Sequence, residues 1–105
     1  DRKINVNKAL ELLKKAVELE PSDGYIRDSL GWAYFLSKKF EESVYHLEKA
    51  VVMLPDDATL NDHLGDAYWM SNRKSEALSQ WKKVLVLDPN YKDKKFINIK
   101  INNGL

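Results

Sequence analysis

The sequence predicts an all-α fold, a right-handed α-solenoid in which helix-turn-helix units stack side by side. Three observations predict it. The only three prolines, Pro21, Pro55 and Pro89, stand 34 residues apart twice over. Each closes an apolar stretch of helical period, and self-similarity at roughly 20–50 residues marks a stacked array. Shifting the chain by 34 also lays Leu30-Gly31-Trp32-Ala33-Tyr34 on Leu64-Gly65-Asp66-Ala67-Tyr68.

The elements follow in order. A first helix is expected over 4–19, and the register makes residues 1–21 the second helix of a truncated repeat. Its apolar arc, Ile4, Val6, Leu10, Leu12, Leu13, Val17 and Leu19, is wider than one neighbouring helix covers. Residues 4–19 are therefore a candidate homo-dimer surface, or a face for a displaced segment. One repeat, 24–55, comprises helices 24–36 and 40–54; the next, 58–89, comprises helices 58–70 and 74–87. Pro cannot continue a helix and disfavours helical angles in the residue before it, so Glu20, Leu54 and Asp88 mark ends. Ser22 or Asp23, and Asp56 or Asp57, are the cap candidates that follow. Gly31 and Gly65 lack Cβ, which lets each first helix approach the small Ser43 or Ala77 of its partner. In the tail, 91–105, the spacings of Phe96 with Ile99 and Ile97 with Ile101 give a capping helix ended by Gly104. A lone strand there would have no partner. All 105 residues form one domain in this reading.

Composition narrows the function classes. Hydrophobic content of 44% with 31% charged residues is globular, and a net charge of +1 leaves no global field for nucleic acid or an acidic membrane. No cysteine is present, so disulfides and thiolate metal sites are excluded while the redox compartment stays open. No apolar run approaches a membrane span, the longest aliphatic one being Val51-Val52-Met53-Leu54. A soluble protein, cytoplasmic or periplasmic, is expected. The chain opens on Asp1 rather than Met, which reads as a segment of something longer.

Second helices align as the first ones do: Ala9, Ser43 and Ala77; Leu13, Leu47 and Trp81; Ala16, Ala50 and Val84. With its Leu-Gly, the Tyr three residues later, the small residue, the large apolar one and the closing Pro, the stretch 4–89 resembles the tetratricopeptide repeat (TPR) family. Arg27 and Asn61 depart from it, standing where the family often has Trp, and Trp81 fills a slot usually given to Phe. Residues 62–69, Asp-His-Leu-Gly-Asp-Ala-Tyr-Trp, are similar to repeats of bacterial cell-envelope adaptors. The resemblance implies a non-enzymatic scaffold that binds a peptide or partner helix in a concave groove lined by first helices. Carried over residue by residue, the groove is Tyr25, Asp28, Ser29, Trp32 and Phe35 with Thr59, Asp62, His63, Asp66 and Trp69, extended by Phe96, Ile97 and Lys100. Phe35 and Trp69 read equally as core. Tyr34, Tyr68, Trp81, Leu30 and Leu64 read as core.

Family members that hold an acidic chaperone C-terminus use Lys, Arg and Asn in the groove; here Asp28, Asp62 and Asp66 imply a ligand with apolar and basic side chains. His63 beside Asp62 and Asp66 lacks a third strong ligand, so no metal or cofactor is expected. No phosphate loop, nucleophile elbow or metalloprotease motif occurs, and the acidic residues read as caps and solvated faces. Lys92, Lys94, Lys95 and Lys100 read as solubilising charge on the end cap. Self-association, or service as accessory repeats of a larger enzyme, are the competing functions.

Overall fold

Aspartates start the first helix of each complete hairpin. The Asp23 carboxylate accepts from the backbone N–H groups of Tyr25 and Ile26 at 2.9 and 3.1 Å, and that of Asp57 from Leu60 at 3.1 Å. Each satisfies helix-end donors that would otherwise lack partners, worth about 1 kcal/mol. The computed structural model describes residues 2–105, with side chains from Asn5 onward; the Ile4 side chain of the expected apolar arc lies outside the described residues. Six helices follow one another: α1 (Arg2–Leu19), α2 (Gly24–Leu36), α3 (Phe40–Met53), α4 (Ala58–Met70), α5 (Lys74–Leu87) and α6 (Lys94–Asn103). No strand occurs among the described residues.

Each helix packs on the next in sequence, and α2 also touches α4. The first helices α2 and α4 thus lie in one layer and α1, α3 and α5 in another. This is an α-solenoid. Leu30 and Leu64 are buried, as are Tyr34, Tyr68 and Trp81, so the positions read as core are core. The main cluster joins Val44, Leu47, Leu64, Trp81, Val84, Tyr91 and Ile97 across α3 to α6, and a second joins Leu10 to Leu30, Ala33 and Tyr34.

The glycine contacts differ in one respect from the sequence expectation. A Cβ on Gly31 would meet Leu47 Cγ at 2.6 Å, and one on Gly65 would overlap the Trp81 ring more closely still. The large residue one turn beyond the small one sets the limit. Ser43 has a different part: its hydroxyl donates to the Gly31 carbonyl at 2.8 Å, tying α3 to α2 inside the core.

Hairpin turns close without glycine. Lys38 and Asn72, one repeat apart, both adopt φ of 62°, and the following Lys39 and Arg73 amides return to the Tyr34 and Tyr68 carbonyls at 2.9 and 2.8 Å. Asn tolerates this left-handed geometry; Lys carries its steric cost. The tail is helical, and Gly104 ends it with φ of 74° and a bond to the Lys100 carbonyl at 2.7 Å. Gly104 lies against the Trp69 ring with no room for a Cβ.

Candidate functional site

The faces of α2, α4 and α6 meet along one surface, joined by polar and aromatic contacts between side chains of successive first helices. Between α2 and α4, Asp28 Oδ1 lies 2.9 Å from His63 Nδ1. That carboxylate accepts the Nδ1 proton and orients the imidazole. The His63 ring stacks on Trp32 at 4.2 Å, and Trp32 stacks in turn on Phe35 at 4.5 Å with planes 6° apart. Phe40 of α3 adds an edge contact to Phe35 at 5.4 Å. The result is a ladder of four rings crossing three helices. Tyr25 and Ser29 flank it and are exposed, the Ser29 hydroxyl turned back to the Tyr25 carbonyl at 3.1 Å.

Between α4 and α6 the surface is ionic. Lys100 Nζ donates to Asp62 Oδ1 at 2.7 Å and to Asp66 Oδ1 at 2.9 Å. Tyr91 OH donates to Asp62 Oδ2 at 3.2 Å and Trp81 Nε1 to Asp66 at 3.1 Å. Asp62 is buried, its carboxylate only 11% exposed. The expectation of solvated acidic faces is therefore corrected here: Asp62 and Asp66 are paired within the chain, because α6 brings one ammonium that they share. Lys100 is likewise no solvated end-cap lysine. Burial pushes the Asp66 carboxyl above its ordinary range, against the opposing pull of Lys100. For Lys100, burial favours the neutral amine, but the two carboxylates outweigh it and the net shift is upward. The Tyr91 phenol is pushed up to about 12, chiefly by burial.

Thr59 sits half-buried beside this network, its hydroxyl 3.5 Å from Tyr91 OH. Trp69 is half-buried, stacked on Trp81 at 5.7 Å with Lys74 Nζ 5.0 Å from its ring centroid. Both Phe35 and Trp69 pack against the core while keeping part of the ring on the surface. Ile97, expected in the wall, is completely buried in the core instead, whereas Phe96 is exposed. The reason is helical phase: docking on α5 turns Ile97 inward. Among the described residues, no three His, Asp or Glu side chains gather as a metal site would require.

The sequence reading missed how the first-helix residues bind one another. One signal was available: Trp32, Asp66 and Lys100 stand 34 residues apart, so the ammonium occupies the third copy of a slot already placed on this face. Phe40 and Tyr91 carried no comparable sign, since neither has an aromatic counterpart one repeat away.

Stacked helical hairpins with a side-chain-lined face across their first helices define a helical repeat scaffold. The fold is that of the tetratricopeptide repeat family, as comparison with solved structures shows. An Arabidopsis OM64 TPR domain superposes with a TM-score of 0.85 at 19% identity, over 99% of this chain and 86% of that one. The first TPR of Spaghetti (RPAP3), bound to the HSP90 peptide SRMEEVD, matches with a TM-score of 0.84 at 22% identity, over 96% and 80%. MamA matches with a TM-score of 0.78 at 24% identity over 82% of this chain, which spans only 50% of the MamA chain. No protein-family model and no curated protein matches the sequence. Among the described residues no helix is long and apolar enough to cross a membrane.

Proposed function

We propose that the chain is a non-enzymatic interaction scaffold whose α2–α4–α6 face binds an extended peptide or a partner helix. The observation that carries this reading is the Phe40–Phe35–Trp32–His63 ladder, a rigid aromatic strip with exposed Tyr25 and Ser29 on the same helix as Trp32 and Phe35. Aromatic side chains that lose little freedom on binding dominate interface energies. The RPAP3 domain, of the same fold, is bound to a peptide, which supports the use of such a fold for peptides. Side-chain chemistry argues for a different ligand here. Asp62 and Asp66 share the single ammonium of Lys100 while Asp28 meets His63, so carboxylates outnumber ammonium groups on this face. A segment with apolar and basic side chains fits it.

Panning a random peptide library against the chain tests this. Enriched sequences should combine aliphatic or aromatic residues with Lys or Arg, and a Tyr25→Ala/Trp32→Ala variant should lose them. Enrichment of acidic sequences, or full retention by the double variant, would sink the proposal.

A second reading, self-association through α1, is favoured by one specific feature. Leu12 and Leu19 are 60% and 80% exposed on that helix. Sedimentation that shows a concentration-dependent mass, abolished by Leu12→Glu, is its expected signature; a constant monomer mass rejects it.

A further inference from the structure

The two complete hairpins solve one packing problem in different ways, and the difference leaves a cation without a counter-ion. The shift of 34 that aligns the repeats lays Arg27 on Asn61 and His46 on Gln80. In the second hairpin this pair of slots is closed. Asn61 Nδ2 donates to the carbonyls of Pro55 and Asp57 at 3.1 and 2.8 Å, and Asn61 Oδ1 accepts from Gln80 at 2.7 Å. In the first hairpin the Arg27 side chain makes one hydrogen bond among the described residues, from Nη1 to His46 Nδ1 at 3.1 Å. A guanidinium only donates, so that imidazole nitrogen is the acceptor and the ring is held neutral. Arg27 Nε is buried without a partner, and no carboxylate pairs with the guanidinium among the described residues.

Beside Arg27 opens a cleft of about 580 Å³, bounded by Pro21 at the α1–α2 turn and by Tyr45, Lys49, Val52 and Met53 on α3. It shares no residue with the α2–α4–α6 face. Its single acid, Glu48, is engaged elsewhere, accepting from Tyr68 OH at 2.6 Å and lying 3.7 Å from Arg73. Lys49 lies over the Tyr45 ring at 4.9 Å and forms no ion pair among the described residues. The positive field is felt by His46, whose pKa falls to about 4 through burial and then through Arg27 and Lys49, with Glu42 opposing and Lys14 adding a smaller push downward. Apolar area is supplied by Tyr45 and by Val52, 80% exposed.

We propose that this cleft is a second docking site, which takes an acidic segment of a partner protein. A Glu or Asp carboxylate sits against Arg27 and Lys49, and a neighbouring apolar side chain lies on Tyr45 and Val52. Charge complementarity selects this occupant: two cations without carboxylate partners, set in an apolar wall, are matched by alternating acidic and aliphatic residues. The chain then presents two faces of opposite preference, one for basic segments and one for acidic ones. The inference stands whether or not the aromatic face binds a peptide.

The test is an NMR titration of the full, isotope-labelled chain with the blocked pentapeptide Glu-Leu-Glu-Leu-Glu, with its Gln-for-Glu counterpart, and with inorganic phosphate. The acidic peptide should move the Arg27 Nε–H and Tyr45 ring signals and leave the Trp32 and Trp69 indoles in place. Binding should weaken with added salt, several-fold in Lys49→Gln and Val52→Glu, and about tenfold in Arg27→Gln. Lys49 and Val52 are exposed, so their substitution reads the site even if Arg27→Gln fails to fold. Equal binding of the Gln peptide, shifts confined to the Trp32 face, or indifference to Lys49→Gln and Val52→Glu would each overturn the proposal. So would phosphate acting as strongly as the peptide, which would mark a bare anion site.

Discussion

Lys100 on α6 reaches Asp66 on α4 at 2.9 Å, and the two residues occupy the same slot of successive first helices, 34 positions apart. The pair, shared with Asp62 at 2.7 Å, is what fastens the last helix to the face of the stack. Replacing Lys100 by Met should leave two carboxylates close together without their cation. The expected loss is about 3 kcal/mol, limited by the free energy with which α6 docks. Hydrogen exchange should accelerate in α6 first.

That loss carries its own pH signature. Asp66 has a raised folded-state pKa, so the native state holds its proton more tightly than the unfolded chain does. Stability from this group is therefore greatest at low pH and declines as pH rises through the folded pKa. Without Lys100 the shift grows, because its favourable charge is gone. Urea titrations of Lys100→Met against the parent should show a deficit that shrinks as pH is lowered from 7 toward about 4.

His46 gives the opposite slope. Its folded pKa of about 4 lies below the ordinary imidazole value of 6.5, so acidification must protonate a ring that the native state keeps neutral. Stability is lost as pH falls from 6.5 through 4. Allowing for solvent screening of this half-buried ring, the loss is about 1–2 kcal/mol. His46→Gln copies the acceptor that Gln80 supplies one repeat later and should flatten that part of the pH profile. An unchanged slope would show that another group carries it.

Gly31→Ala and Gly65→Ala should differ. Each gains about 1 kcal/mol in helix propensity and incurs an overpacking cost of about 1–3 kcal/mol. Leu47 is as buried as Trp81 but is the smaller and more flexible side chain, so less must shift to accept the new methyl group. Trp81 is completely buried and its ring is rigid, so Gly65→Ala should lose about 2 kcal/mol and Gly31→Ala less. Chemical denaturation of both variants measures the order.

Lys38 holds a left-handed backbone without the glycine that such a turn favours. Lys38→Gly should raise stability by about 0.5–1 kcal/mol, whereas the same change at Asn72 should yield less because Asn already tolerates that region. Midpoints of thermal unfolding compare the two.

The repeat period, the helix ends and the burial of Leu30, Leu64 and Trp81 were legible from the residues alone, because they depend on local geometry and on a pattern printed more than once. Proline stops a helix wherever it stands, and a leucine midway along a short amphipathic helix, as Leu30 and Leu64 are, faces inward by phase alone. The fate of a charged or aromatic side chain on the first helices was not legible in this way. Asp62 is as polar as Asp56, yet α6 folds over one and leaves the other in water. Which carboxylate meets a lysine, which ring stacks on His63, and which arginine is left unpaired depend on distances between segments 19 to 38 residues apart. Only stacking of the helices sets those distances, since burial and Coulomb energy are properties of the assembled neighbours.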